Sequence, residues 1–228
     1  MTQTWNRLLF AHWSVDARVV AAKIPPPLEL DRYDGDAWIG IVPFFMTNVG
    51  VRALPALPRV SAFAELNVRT YVRLNGKPGV FFFSLDAERA LAVAAARTMF
   101  RLPYFLASMD VRTRDDAVEY RSRRTMGRSQ AEFAATYRPT GPVAQPAAGS
   151  LEYFLTERYC LYTGHGRGRS RRVDIHHPPW RLQPAEVDIQ VNTMTKAAGL
   201  ELPPRPSVVH YSARQDAVAW LPIGATES

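Results

Sequence analysis

The sequence predicts an α+β domain built on an antiparallel-rich sheet, barrel-like or folded, with a few helices packed outside. Three observations predict it. Many short apolar or alternating segments are separated by turn signals, only two segments show clear helical spacing, and no strand–helix alternation is present that would build a parallel sheet. No repeat and no linker-like stretch divides the 228 residues, so 1–228 is expected to be a single domain with its own core.

Residues 7–13 (RLLFAHW) suit a first strand. Asp16 then offers an N-cap, and 17–24 carries Val19, Val20 and Ile24 at helical spacing until Pro25, Pro26 and Pro27 end the helix. The turn Tyr33-Asp34-Gly35-Asp36 precedes a buried strand at 37–46, and residues 50–60, with Pro55 and Pro58, read as a loop. The long strand 61–74 alternates. Phe63, Glu65, Asn67, Arg69, Tyr71 and Arg73 share one side, and Ala62, Ala64, Leu66, Val68, Thr70 and Val72 the other. A surface explains Asn67, Arg69 and Arg73, whereas Glu65, among aromatic and apolar neighbours, fits the wall of a cavity.

The turn at 75–79 (NGKPG) predicts that 80–85 pairs back antiparallel. Asp86 can cap an alanine-rich helix over 87–100, with Leu91, Ala95 and Thr98 on one stripe, which Leu102-Pro103 ends. Residues 104–109 are extended, 119–125 and 131–138 alternate like paired strands, and 139–150 is a loop rich in Pro, Ala and Gly. Residues 151–163 and 172–177 read as a second hairpin around a tip bearing Arg167, Arg169, Arg171 and Arg172. The stretch 186–194 fits helix or strand equally, 208–212 is a last strand, and the tail from Ala213 adds little.

Composition narrows the function classes. No apolar run reaches the ~18 residues that span a bilayer, so no membrane partner is expected. The first eleven residues lack the lysine and apolar core of a secretory signal, and the single Cys160 excludes an internal disulfide, so a cytoplasmic location is expected. The net charge of +7 is almost all arginine, since the lysines are only Lys23, Lys77 and Lys196. That excess reads as a solvated surface. Nucleic-acid binding would need a basic face with stacking aromatics, and the only dense cluster is the hairpin tip. A homo-oligomer stays open.

Gly-rich phosphate loops, a dinucleotide fingerprint, a G-x-S-x-G elbow and zinc-ligand spacing are all missing, so neither a cofactor nor a metal is expected. Of His12, His165, His176, His177 and His210, the adjacent His176 and His177 would face opposite sides of a strand. Either alone is a candidate acid or base, against a plain surface role. Glu65 in an apolar stretch needs a partner or a raised pKa, and Arg69 and Arg97 are candidates. Arg97, midway along the alanine-rich helix, suits an inward or an outward position. Glu157-Arg158-Tyr159 and 175–180 (IHHPPW) form polar and aromatic patches that fit the polar part of a pocket or a wet strand end.

Five segments taken together, 8–31, 63–87, 95–109 (AARTMFRLPYFLASM), 155–163 (LTERYCLYT) and 175–180, resemble the YqjF-like family of uncharacterised bacterial proteins. That family is related to acetoacetate decarboxylase. The resemblance implies a β-barrel-like fold around an internal pocket. In the decarboxylase a lysine, activated by desolvation and a neighbouring lysine, forms a Schiff base with a β-keto acid. The pair lies in a segment of the form R-E-x-x-x-x-P-K-K, which here reads 97–105, RTMFRLPYF. Arg97 and Pro103 match, while the two lysine positions hold Tyr104 and Phe105. Glu65 matches the family's strand glutamate, and Asn6, beside Arg7, stands where the family has an arginine.

The resemblance therefore implies a pocket without its reactive amine. Glu65, Arg69, Arg97, Tyr104, Tyr159, His176 and Trp180 are the expected ligand-binding residues, with Tyr104, Glu65 and His176 as catalytic candidates. Three readings follow: a binding protein for a small anionic or carbonyl ligand, a lysine-independent enzyme acting on a carbonyl or carboxylic acid, and a basic-loop module for nucleic acid or an acidic partner.

Overall fold

The computed structural model describes residues 1–50, 62–127, 130–163 and 170–225. The elements run β1 (Thr2–Val15), α1 (Ala17–Ala21), β2 (Glu29–Leu30), β3 (Ala37–Gly50), β4 (Phe63–Leu74), β5 (Lys77–Ala87), α2 (Ala90–Met99), β6 (Tyr104–Arg114), β7 (Ala117–Arg124), β8 (Glu132–Pro139), α3 (Leu151–Thr156), β9 (Cys160–Thr163), β10 (Arg171–His176), β11 (Gln183–Asn192), β12 (Val208–Ala219) and β13 (Ile223–Gly224). The architecture is mostly β with few helices.

Local chemistry sets the turns. Asn75 and Gly76 both sit at positive φ (51° and 74°), the conformation that closes a two-residue hairpin with the twist of its strands, and Leu74 pairs with Lys77 on either side. Asp16 caps α1 by accepting from the Arg18 backbone N–H at 2.8 Å, although the helix stops at Ala21 rather than 24.

The strands order as β13-β10-β9-β5-β6-β7-β8-β11-β12-β1-β3-β4-β2. Further pairings of β4 with β5 and of β10 with β12 bring the order back on itself. Consequently β1, β3 and β4 are buried on both faces. One face sends Leu9, Trp13, Ile41 and Leu66 into a packed core completed by Tyr120 and Phe133 of β7 and β8. The opposite face, with Leu8, Phe10, Val42, Phe44 and Phe63, looks into a second compartment.

Several expectations need correction. The helix expected from Asp86 begins at Ala90, and its N-cap Arg89 makes no side-chain cap bond. Asp86 lies on β5 and binds Arg124 of β7 through two bonds, Nη2–Oδ1 at 2.7 Å and Nε–Oδ2 at 2.9 Å. A buried bidentate ion pair outweighs a surface cap. Residues 151–156, expected in a hairpin arm, are α3, because Ser150 accepts from the Tyr153 N–H and starts a helix. The antiparallel pair is the shorter β9–β10. Of the ambiguous stretch 186–194, residues 186–192 belong to β11. The chain after Ala213 is not an idle tail: β12 runs to Ala219 and pairs with β1 from Val208↔His12 to Val218↔Thr2. Finally, β5, α2 and β6 form one parallel crossover, with Leu85 beside Tyr104, where no such unit was expected. The expected 50–60 loop lies outside the described residues beyond Gly50, as do His165, Arg167 and Arg169. Arg172, from the same basic cluster, sits on β10 in an ion pair with Asp174 at 2.9 Å.

Candidate functional site

The second compartment holds a cavity of about 900 Å³, walled by β1, β3, β4, β5, α2, β9 and β10 and by the turn through His177 and Trp180. Two backbone irregularities aim the strands into it. Met1, ahead of β1, and Gln3 and Trp5 within it line the cavity, and so do Leu8 and Phe10. Odd and even residues share a face because Arg7 has φ 55° and the β1–β3 register shifts there. The same happens in β3, where Asn48 at φ 55° separates Val42, Phe44 and Met46 from Val49.

Strand β4 adds the polar row. Glu65, Asn67 and Arg69, two residues apart, all line the cavity. Glu65 and Asn67 are buried, so the surface assignment of Asn67 is corrected: the strand has two interior faces, and alternation cannot tell a wet side from a second interior. Arg73, near the strand's end, does reach the surface and pairs with Asp31.

Glu65 finds neither arginine as its partner. Tyr104 donates its hydroxyl to Glu65 Oε2 at 2.8 Å, and Tyr120 donates to the Glu65 backbone carbonyl at 2.8 Å. Burial pushes the Glu65 carboxyl up to about 8, partly countered by the Tyr104 hydroxyl bond and reinforced by the charge of Asp86. Burial, then the charge of Glu65, holds the Tyr104 phenol well above its ordinary value. At neutral pH the pair is therefore a carboxylic acid beside a phenol.

The other expected site residues divide. Tyr104, Glu65, Arg69 and Trp180 line the cavity. Arg97 is exposed on α2 and does not; its Nε donates to the Tyr104 backbone carbonyl at 2.6 Å and so fixes the start of β6. His176 points out from β10, while the adjacent His177 is buried and lines the cavity, so the two do face opposite sides. Tyr159 stacks on His177 at 4.6 Å from outside the wall and donates to Glu157. Phe105 carries the Arg124 guanidinium over its ring at 3.7 Å.

Arg69 donates from Nη2 to the Leu155 carbonyl at 3.0 Å, and Tyr71 donates to the same oxygen at 2.8 Å. Tyr71 in turn bonds His12 Nε2 at 2.7 Å. Burial, and next the charge of Arg69, hold His12 well below its usual value, so it is neutral. Arg158, which also lines the cavity, is taken by Asp31 at 2.6 Å. Sequence reasoning missed both buried ion pairs, because each joins residues distant in the chain. The one available signal was that Asn67 and Arg69 share Glu65's face. Lys77 pairs with Asp174, Lys23 Nζ lies beside Gly199, Lys196 opens a 3-10 turn, and none of the three lines the cavity. Among the described residues no cluster of three His, Cys, Asp or Glu side chains is placed to hold a metal, and no helix is long and apolar enough to cross a membrane.

The fold is that of the acetoacetate decarboxylase-like proteins. The chain aligns with an acetoacetate decarboxylase from Legionella pneumophila over 98% of its length and 88% of that chain, at TM-score 0.62 and 14% identity. It aligns equally with the enduracididine biosynthesis enzyme MppR complexed with pyruvate, over 96% of its length and 89% of that chain, at TM-score 0.63 and 13% identity. Within that fold the chain belongs to the DUF2071 family of uncharacterized conserved proteins, whose model matches residues 2–216. It is 50% identical over 220 residues, 96% of this chain and 90% of the relative, to the uncharacterized protein YqjF of Bacillus subtilis (strain 168).

Proposed function

We propose that this chain binds a small carbonyl or carboxylate compound in the cavity, with Glu65 and Tyr104 among its contacts, and that it does not work as a Schiff-base decarboxylase. The observation that carries the reading is Tyr104. It stands where the resemblance places the reactive lysine, and its hydroxyl is engaged by Glu65. A phenol cannot form an imine, and no lysine approaches the cavity to replace it. We read the returning strand order as a barrel-like sheet enclosing the pocket. The fold's capacity to hold a keto acid, seen in the pyruvate complex of MppR, fits the same reading. The buried free thiol of Cys160 suits a reducing cytoplasm.

Two measurements test this. Borohydride reduction in the presence of acetoacetate, followed by intact mass, is expected to show no adduct, and an adduct would overturn the reading. Nile red, a neutral environment-sensitive dye, is expected to bind with a blue-shifted emission. Ala96→Trp, which projects a ring from α2 into the space, should abolish that signal.

A second reading, a lysine-independent enzyme, draws support from the raised Glu65 carboxyl. A group near 8 can donate a proton at neutral pH, and Tyr104 holds it in place. Turnover of a keto acid that vanishes in Glu65→Gln while Nile red still binds would establish it.

A further inference from the structure

We propose that the cavity takes an amphiphilic carboxylate, its apolar chain or ring system against the hydrophobic walls and its carboxylate on Arg69. This rests on the reading that the cavity holds a small molecule, and it narrows the ligand by head group and by body.

The head group follows from the arginines. Arg124 is matched by Asp86, and Arg158 is held by Asp31, which it shares with the surface Arg73; both buried arginines are at ion-pair distance from a carboxylate. Arg69 has no such partner: among the described residues no carboxylate forms an ion pair with it, and its polar contacts are neutral, the Leu155 carbonyl at 3.0 Å and the Tyr71 hydroxyl. Its Nε is sealed without an acceptor, and the residue stands on the cavity wall. Aromatic faces at 5.4 Å (Phe10) and 5.7 Å (Tyr71) flank the guanidinium but do not neutralise it. A cation held in an apolar enclosure without a counter-charge is costly, and an anion entering the cavity removes that cost.

Its surroundings favour an anion over a second cation or a neutral group. The Asn67 amide, two residues along the same face, makes no hydrogen bond among the described residues, and its Oδ1 is sealed. Glu65, two residues further, is neutral at pH 7 because burial raises its carboxyl. His12, behind Arg69, is neutral for the same reason. The row thus offers one open charge, and it is positive.

The body follows from the remaining wall. Phe10, Val42, Phe44, Leu85, Leu102 and Trp180 surround the row with apolar surface. A volume of about 900 Å³ lies near the upper end of the ~300–1,000 Å³ typical of pockets for drug-sized ligands. A short keto acid would leave most of this wall against water, whereas each buried methylene adds about 0.8 kcal/mol, roughly a fourfold gain in affinity. Met99, Trp220 and Leu221, all exposed and all lining the cavity, mark a mouth that an apolar chain can enter.

Calorimetric titration of the full chain with decanoate, decan-1-ol and decylamine, and with octanoate and pyruvate, tests the assignment. Decanoate is expected to bind at least tenfold tighter than decanol, decylamine to be undetectable, and decanoate to exceed octanoate about 15-fold, the worth of two methylenes. Arg69→Met should weaken decanoate by about 10- to 100-fold, the worth of a charge-assisted bond, and leave decanol and Nile red unchanged. Equal binding of decanoate and decanol to the native protein would overturn the proposal. So would undiminished decanoate binding by an Arg69→Met protein that still binds Nile red. If that variant does not fold, the head-group preference of the native protein decides alone. Pyruvate binding tighter than decanoate would sink this inference and leave the small-molecule reading standing. Failure of Nile red and every acid to bind would remove that reading itself.

Discussion

The Tyr104 hydroxyl donates to Glu65 Oε2 at 2.8 Å, joining the first residue of β6 to the third residue of β4 across 39 residues of sequence. The bond couples a phenol on the cavity wall to the buried acid. Removing the donor in Tyr104→Phe leaves Glu65 Oε2 without its partner in an apolar setting. A loss of about 1–2 kcal/mol in urea denaturation at pH 7 is expected, with the Glu65 carboxyl moving further up because burial and the charge of Asp86 then act on it unopposed. An unchanged midpoint would show that the bond contributes nothing net.

Glu65 also makes stability depend on pH. Its folded value, about 8, lies above the ordinary 4.5, so the native state holds its proton more tightly than the unfolded chain does. That advantage is complete below about pH 4.5, declines as pH rises toward 8, and is gone above it. The groups facing Glu65 are Tyr104 on β6, Asp86 on β5, already paired with Arg124 of β7, and Arg69 further along β4. Glu65→Gln keeps an acceptor for Tyr104 and cannot ionise. The variant should match the parent at pH 4.5 and exceed it increasingly up to pH 8.5, by up to about 4 kcal/mol. Denaturation midpoints at pH 4.5, 7 and 8.5 read this directly, and curves that stay parallel would place the carboxyl in an ordinary environment.

The Asp86–Arg124 pair predicts an asymmetry between single and double replacement. Asp86→Asn strands a buried guanidinium over Phe105 and should cost about 3–5 kcal/mol. The paired change Asp86→Leu with Arg124→Met removes both charges and should recover most of that loss. A double variant less stable than the single one would argue that the ion pair itself, rather than the avoidance of a lone charge, stabilises the β5–β7 contact.

Gly40 tests the packing behind the polar row. A Cβ there would lie 2.9 Å from His12 Nε2 and 3.3 Å from Arg69 Cγ. Gly40→Ala must therefore displace the His12–Tyr71 bond or the Arg69 stem. A cost of about 1–3 kcal/mol is expected, seen as a fall in Tm of roughly 2–4 °C per kcal/mol for a domain of this size. An unshifted Tm would mean that the imidazole yields freely.

Sequence alone determined what depends on near neighbours or on residue identity. The Asp16 cap, the Asn75-Gly76 turn and the alternation of β4 are set within a few residues by hydrogen-bonding reach and φ preference, and all three are legible. So is the absence of an amine at positions 104 and 105, which hold Tyr and Phe. Tertiary structure decided which of two interiors a residue faces. It turned Asn67 inward and left Arg97 and His176 outside the wall that Arg69 and His177 line. It made Asp86 a strand residue paired with Arg124 and extended β12 along β1. These outcomes depend on register, bulges and the desolvation of charge. Those are settled between segments tens of residues apart, where no local pattern records them.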